Sequence, residues 1–292
     1  MTEILAHRVS GRHRTDPTDR TDPTDHPTDR SDPTDPSDAT PLLLLNGGLM
    51  SIASWDRLVG PLEASFQVVR CDFRGQLLSP GEPEPRLEAH VDDVIRLLDA
   101  LDLEKVHLAG VSLGGLVGTL LAASHPERVR SLAAITTSDR ITPAMWEETA
   151  EMRELAREAA EGGDGGRVLD FLLPRTYTAE YLEAQRNAMG FYRQWVAALP
   201  SVWFRGVAAI LSALEGLDLG PCLGAIRCPT LVLAAEGDRT FPPEHARALA
   251  AGISSGGGRS RLEIVPGGCH GLVVEQADRV LEILLDFLQS LD

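Results

Sequence analysis

The chain has 292 residues, 43% of them hydrophobic, and a formal net charge of −16. This length suffices for one large core, and α/β folds of this size often form a single domain. The acidity argues against binding to nucleic acid or to an anionic membrane, although an acidic balance more often reflects solubility alone. No basic segment with an apolar run opens the chain, and no apolar stretch approaches the roughly 20 residues that span a bilayer, so we expect a cytoplasmic protein.

The four cysteines form no CxxC pair and no Cys/His cluster with metal-ligand spacing. They are Cys71, Cys222, Cys228 and Cys269. A disulfide between Cys222 and Cys228 is conceivable, but reduced thiols are the better expectation for a cytosolic enzyme. The sequence therefore predicts neither a metal nor a cofactor.

The N-terminal region contains a low-complexity tract. Residues 15–38 repeat TDP, TDR, TDH and SDP triplets without one aliphatic or aromatic side chain, so the tract has nothing to bury and is predicted to be disordered. A metal-binding acidic tract is the alternative, which the lack of a turn glycine and of a bidentate glutamate disfavours. The flanking residues 4–11 and 41–45 are predicted strands, and the tract would then be an enlarged loop between two neighbouring strands.

From residue 41 onward, apolar strands alternate with amphipathic helices. Runs such as SLAAIT and TLVLAA are apolar without alternation, which is typical of parallel strands buried on both faces. The further predicted strands span residues 66–72, 105–111, 131–136, 230–235 and 261–265. The predicted helices span residues 54–63, 86–101, 113–124, 244–251 and 274–290.

The β signal disappears between residues 139 and 228, where the sequence is helical and holds most of the aromatic side chains. These are Trp146, Tyr177, Tyr181, Phe191, Tyr192, Trp195, Trp203 and Phe204. The chain therefore divides into an N-terminal strand with a disordered loop (residues 1–40), an α/β core (residues 41–138 and 229–292) and a helical insertion (residues 139–228). The fold class that follows is α/β, a mostly parallel sheet flanked by helices.

The strongest functional motif is GVSLGG at residues 110–115. A serine between glycines, after an apolar strand and before a helix, is typical of a sharp turn that strains the serine backbone and lifts its oxygen above the sheet. The amino end of that helix also offers the amide of Leu113 to an anion. An ordinary N-cap serine is the alternative interpretation. Ser112 is therefore the candidate nucleophile.

A serine hydroxyl needs a base and a carboxylate to act as a nucleophile. His270 follows the last predicted strand in the glycine-rich loop PGGCHG, whereas the other histidines lie in the N-terminal region, in helices, in a strand or at a helix end. Asp238 follows strand 230–235, where it could accept the imidazole NH and fix the tautomer. Glu236 and Asp139 remain alternatives for the acid, with Asp139 the stronger rival.

An oxyanion hole needs a second amide besides that of Leu113. The sequence Asn46-Gly47-Gly48-Leu49 follows the predicted strand 41–45, where a glycine-rich turn would expose its amides toward the serine. Gly48 is the predicted donor, and Leu49 is the alternative.

With these residues the sequence resembles the α/β-hydrolase superfamily, in the branch of esterases, enol-lactonases, proline iminopeptidases and cofactor-free haloperoxidases. The matching pieces are LLLLNGG with Trp55, CDFRG, GVSLGG, and AAEGD followed by GGCHG, so the likeness covers residues 41–138 and 222–290. The resemblance implies eight mostly parallel strands and a cap inserted after the sixth, where residues 139–228 fall. By that analogy the aromatic side chains of the cap line an acyl or ring pocket; core packing is the equal alternative.

Four features depart from the family pattern. Asn46 stands where a histidine is usual, and Leu77 replaces the second glycine of the D-x-R-G-x-G-x-S pattern. One N-terminal strand is missing, and the tract of residues 15–38 has no counterpart in the family. None of them touches the predicted triad. The branches that use an aspartate nucleophile are excluded because position 112 is serine.

The predicted function is a serine hydrolase that cleaves a carboxylic ester or related acyl bond of a small-molecule substrate through an acyl-enzyme. An acyltransferase, a lactonase or a C–C bond hydrolase could use the same triad, and a non-catalytic ligand-binding protein of this fold is the alternative of another class. The substrate and the oligomeric state stay open. Six arginines of the insertion could bind a carboxylate, although solvated helix faces are favoured: Arg153, Arg157, Arg175, Arg186, Arg193 and Arg205.

Overall fold

The computed structural model describes residues 4–11 and 39–291. Its centre is a seven-stranded sheet in the order β1-β3-β2-β4-β5-β6-β7. The strands are β1 (His7–Gly11), β2 (Pro41–Leu45), β3 (Gln67–Cys71), β4 (Val106–Val111), β5 (Val129–Ile135), β6 (Thr230–Ala235) and β7 (Ser260–Val265). All the described pairings are parallel except that of β1 with β3. The predicted fold class is confirmed.

The expectation that β1 and β2 are neighbours is wrong. β1 pairs antiparallel with β3, with Val9 opposite Val69, while β2 lies between β3 and β4. Both edges of β2 are therefore occupied by parallel partners, and β1 pairs with the remaining edge of β3. Residues 15–38, for which we predicted a disordered loop, lie outside the described residues.

The uninterrupted apolar strands are explained by helices on both faces of the sheet. Leu43 and Leu45 face one buried cluster, whereas Leu42 and Leu44 face the other. The core helices are α1 (Asp56–Glu63), α2 (Leu87–Ala100), α3 (Leu113–Ser124), α10 (Pro243–Ser255), α11 (Leu272–Glu275) and α12 (Ala277–Gln289). The predicted helix over residues 274–290 is divided at Gln276, which leaves the α region with a ψ of 44°.

Six helices and no strand lie between β5 and β6, in agreement with the helical content predicted for residues 139–228. They are α4 (Pro143–Ala160), α5 (Gly166–Thr176), α6 (Ala179–Ala184), α7 (Arg186–Ala197), α8 (Ser201–Ser212) and α9 (Gly220–Leu223). The insertion follows the fifth of the seven described strands, whereas the resemblance implied the sixth of eight. Helix α4 packs along α8. Within the described ranges no single helix is long and apolar enough to cross a membrane; α7 and α8 pass such a test only together, across a 100° bend.

Candidate active site

Ser112 lies at the carboxyl end of β4, in the sharp turn that the sequence predicts. Its backbone has φ 53° and ψ −113°, a combination that strains any residue other than glycine. The two motif glycines allow this turn, because a Cβ on Gly110 would lie 2.2 Å from the carbonyl oxygen of Gly114, and one on Gly114 would lie 2.2 Å from that of Leu45. Strand and helix therefore approach to a distance that side chains at these positions would prevent.

The three side chains singled out as nucleophile, base and acid lie in one hydrogen-bonded line. Ser112 Oγ is 3.0 Å from His270 Nε2, and His270 Nδ1 is 2.9 Å from Asp238 Oδ2. The second carboxylate oxygen of Asp238 accepts the amides of Thr240 and Phe241, each at 2.9 Å. A buried carboxylate fixed in this way accepts the Nδ1–H of the imidazole, which leaves Nε2 free to accept the serine proton.

The two loops that carry His270 and Asp238 are tied together. The amide of Gly237 donates to the carbonyl of Gly268 at 2.9 Å, which joins the two loops. The loop of His270 is also held by helix α5, because the amide of Gly271 donates to the carbonyl of Thr176 at 2.7 Å. The ring of Phe241 stands edge-on to the imidazole, with 5.4 Å between the ring centroids. These contacts fix the position and tilt of the imidazole.

Neither rival carboxylate reaches His270. Glu236 accepts the amide of Gly267 at 3.1 Å. Asp139 lies beside another histidine, with His245 Nδ1 2.8 Å from its Oδ1, and its second oxygen accepts from Arg140 Nε. Of the three candidate acids, Asp238 is the one in contact with His270.

The amides predicted for an oxyanion site are available. Gly48 and Leu113 both line the cavity that contains Ser112 and His270. The amide of Leu113 is in the first turn of α3 and has no partner within the helix. Among the described residues, no turn, loop or side-chain acceptor engages the amides of Gly48, Leu49 or Leu113. These three donors are therefore free to receive a ligand oxygen.

A buried amide network holds the loop that carries Gly48. Gln76 Nε2 donates to the carbonyl oxygens of Gly47 at 2.6 Å and of Gly48 at 3.1 Å, and Gln76 Oε1 accepts from Asn46 Nδ2 at 3.0 Å. In a trans peptide the carbonyl and the following N–H point in opposite directions. Because Gln76 holds the carbonyl of Gly47, the N–H of Gly48 points away from Gln76.

The same network explains the departure at Asn46. Its Oδ1 accepts the indole N–H of Trp55 at 2.8 Å, and its Nδ2 also donates to Asp72 Oδ1 at 3.0 Å. Burial raises the pKa of the Asp72 carboxyl, although amides from Leu78 and Ile52 partly oppose that rise. Sequence reasoning missed Gln76, because the partner of a loop side chain depends on tertiary contacts and leaves no periodic signal.

The aromatic side chains of the helical segment divide between cavity, core and surface. Tyr177 and Tyr192 line the cavity at Ser112, whereas Trp203 and Phe204 are buried in the core. Phe191 is 74% exposed. Tyr177 and Tyr192 are therefore placed to contact a molecule bound beside Ser112, whereas Trp203 and Phe204 serve as core packing.

Within residues 4–11 and 39–291, no group of three or more His, Cys, Asp or Glu side chains could hold a metal ion. The four cysteines are free thiols, so Cys222 and Cys228 are not joined.

Fold and site together define an α/β hydrolase-type protein, with its candidate residues at the carboxyl ends of β2, β4, β6 and β7. The family model described as the alpha/beta hydrolase fold matches residues 40–277. The chain belongs to this family.

Named relatives and a solved structure agree with this assignment. The protein named "Putative carbamate hydrolase RutD" from Variovorax paradoxus is 33% identical, over 84% of this chain and 91% of that protein. The 2-hydroxymuconate semialdehyde hydrolase of Pseudomonas sp. CF600 is 28% identical, over 86% of this chain and 88% of that protein. The crystal structure of the enol-lactonase from Burkholderia xenovorans LB400 has a TM-score of 0.78 at 26% identity, covering 98% of this chain and 96% of that one. The protein is therefore a hydrolase of the α/β-hydrolase fold.

Proposed function

We propose that the protein is a serine hydrolase that cleaves a carboxylic ester, or a related lactone or amide, through an acyl-enzyme. The observation that carries this proposal is the line Ser112–His270–Asp238, with contacts of 3.0 and 2.9 Å. A hydroxyl within hydrogen-bond reach of an imidazole that is itself oriented by a carboxylate is the arrangement nucleophilic catalysis by serine requires.

The first half of the reaction forms the acyl-enzyme. His270 Nε2 takes the proton of Ser112 as Oγ attacks the substrate carbonyl carbon, and the carbonyl oxygen becomes an oxyanion. The amides of Gly48 and Leu113 donate to that oxyanion, and Asp238 stabilises the imidazolium. When the tetrahedral intermediate collapses, the bond to the leaving group breaks and His270 gives its proton to the departing oxygen or nitrogen.

The second half releases the acyl group. A water molecule gives its proton to His270 Nε2 and attacks the acyl carbon, which regenerates the oxyanion at the same two amides. Collapse breaks the bond to Ser112 Oγ, returns the proton from His270 to the serine and frees a carboxylic acid. The complete reaction consumes one water molecule for each acyl bond that is cleaved.

The helical insertion acts as a cap in this proposal. Helices α4, α5 and α8 supply much of the outer wall of the cavity at Ser112, through side chains such as Met152, Leu172 and Ile210. A wall of this kind restricts water and selects the substrate. We further propose a cytoplasmic location, which four free thiols support.

The names of two relatives favour a second candidate on the same residues. They indicate action on a carbamate and on 2-hydroxymuconate semialdehyde. Cleavage of a carbamate, or of a carbon–carbon bond next to a carbonyl, would use the same base and the same oxyanion amides. Product analysis with one carbamate, one vinylogous 1,5-diketone and one ester of matched size separates these reactions, because the second carbonyl of the diketone takes the electron pair of the carbon–carbon bond that breaks.

The experiment that tests the proposal compares the wild type with Ser112→Ala. The wild type should hydrolyse 4-nitrophenyl butyrate and should be labelled at Ser112 by a fluorophosphonate, and the variant should do neither while keeping its circular dichroism spectrum. Full ester turnover by a folded Ser112→Ala protein would refute the assignment of the nucleophile.

A further inference from the structure

We propose that the site takes a neutral, apolar acyl group and discriminates against an acyl group that carries a carboxylate. This inference rests on the proposed function, because it names the class of substrate that the same serine would attack. It also bears on the arginines of the helical segment, which the sequence left either as ligands of a carboxylate or as part of solvated helix faces.

The cavity beside Ser112 offers no charged wall. It has a volume of about 170 Å³, and none of the described Asp, Glu, Lys or Arg side chains lines it. Its walls are mainly aliphatic, with Met152 from α4, Leu172 and Leu173 from α5, and Ile210 and Leu214 from α8. An acyl chain in this cavity would meet methyl and methylene groups, so apolar burial favours it.

Apart from His270, the polar side chains that line the cavity carry no charge at neutral pH. They include the hydroxyls of Ser54, Thr149, Thr176 and Tyr177. Burial raises the pKa of the Tyr177 phenol, which keeps this hydroxyl protonated at neutral pH. Hydroxyl dipoles can orient a polar atom, but they supply no positive charge that would offset the desolvation of a carboxylate.

Each of the six arginines that could have bound a carboxylate has an acidic partner in the protein. None of them lines the cavity at Ser112. Their pairs are Arg153 with Glu154 and Glu215, Arg157 with Glu154, Arg175 with Glu148, Arg186 with Glu183, Arg193 with Asp164 and Asp170, and Arg205 with Glu82. These arginines therefore supply no positive charge to the wall of the cavity at Ser112.

The remaining electrostatics also disfavour an anion. Among the described residues that line the cavity, His270 is the one whose side chain can carry a positive charge, and Asp238 Oδ2 lies 2.9 Å from its Nδ1 as counterion. The chain as a whole carries a formal charge of −16, which repels an anionic substrate at long range. A carboxylate on the acyl group would therefore be buried without a cationic partner.

The test uses two 4-nitrophenyl esters of the same shape. In the 5-methylhexanoate, two methyl groups stand where the glutarate monoester has its two carboxylate oxygens. We expect kcat/KM for the neutral ester to exceed that for the anionic ester at least a hundredfold, which corresponds to about 2.7 kcal/mol of activation free energy. Rates are corrected with Ser112→Ala, because the free carboxylate of the glutarate also attacks its own ester without an enzyme.

A charge placed in the wall should reverse part of this discrimination. Met152→Lys should raise the ratio of glutarate to 5-methylhexanoate turnover at least tenfold, whereas Asn187→Lys, which adds the same charge at an exposed position on α7, should leave the ratio unchanged. Equal kcat/KM values for the two esters in the wild type, or a preference for the anion, would overturn the inference and leave the serine mechanism standing. Turnover of neither ester above the Ser112→Ala background would overturn both proposals together.

Discussion

Replacing Gln76 by methionine should weaken catalysis without weakening substrate binding. Methionine keeps the length of the side chain but cannot donate to the carbonyls of Gly47 and Gly48, which Gln76 Nε2 holds at 2.6 and 3.1 Å. Once the carbonyl of Gly47 is released, its peptide plane can rotate, and the N–H of Gly48 loses its fixed direction. The amide that we assign to the oxyanion would then be present but poorly aimed.

The size of the effect is bounded by what an oxyanion donor contributes. Complete loss of one donor typically lowers kcat by about 10²–10³-fold. Because Gln76→Met only relaxes the direction of the Gly48 amide, we expect a fall in kcat of about 10–100-fold, or about 1.4–2.7 kcal/mol, with KM within about threefold. The variant also leaves the buried amide of Phe73 without its acceptor, Gln76 Oε1, which lies 2.8 Å away in the wild type. The free energy of unfolding should therefore fall by about 1–3 kcal/mol.

The assay separates a change in the direction of the Gly48 amide from a loss of stability. Steady-state kinetics on 4-nitrophenyl butyrate give kcat and KM, and inhibition by an alkylboronic acid reports affinity for a tetrahedral adduct, which should fall in step with kcat. Trp55→Phe is the matched control, because it removes the indole donor to Asn46 and destabilises the same network one step farther from Gly48. If Gln76→Met lowers stability but leaves kcat and the boronic acid affinity at wild-type values, Gln76 has no part in aiming the amide.

Three further outcomes follow from buried groups. His90 is buried with both ring nitrogens unpaired among the described residues, and burial lowers its pKa to about 4 from an ordinary 6.5. As the pH falls, His90 is therefore protonated at a higher pH in the unfolded chain than in the folded protein, which stabilises the unfolded state. Between pH 7 and pH 5 the free energy of unfolding of the wild type should fall by about 2 kcal/mol more than that of His90→Leu. Urea unfolding at the two pH values measures this difference. Asp238→Asn should lower kcat by about 10³–10⁴-fold because the wrong tautomer is favoured, whereas Asp139→Asn should leave kcat near the wild-type value in the same ester assay. Gly114→Ala should cost about 1–3 kcal/mol in thermal unfolding, since its methyl group would meet the carbonyl of Leu45.

The parts of the fold that were predicted correctly are those with a local pattern. The strands around Leu43 and Leu233 are uninterrupted apolar runs because helices cover both faces of the sheet, and that burial leaves a readable signature. The turn at Ser112 is equally local, since its glycines are required by contacts within a few residues and with the neighbouring strand.

The parts that could not be predicted depend on partners distant in the sequence. The placement of β1 beside β3 rather than β2 is set by which strand edge remains open, and the strand's own residues do not encode that choice. Gln76 holds the loop at Gly47 only because folding brings its side chain to the carbonyl of Gly47. The arginines of the helical segment could not be assigned without knowing that acidic partners such as Asp164 and Asp170 lie beside Arg193.

The central claim, that Ser112 becomes covalently acylated, is tested most directly by trapping the intermediate. The wild type is mixed with 4-nitrophenyl butyrate, quenched in acid while turnover is in progress, digested and analysed by peptide mass spectrometry. We predict a butyryl group on Ser112, formed in step with a burst of 4-nitrophenol and absent from Ser112→Ala. Continued turnover with an unmodified Ser112 peptide, or the acyl group on another side chain, would contradict the account.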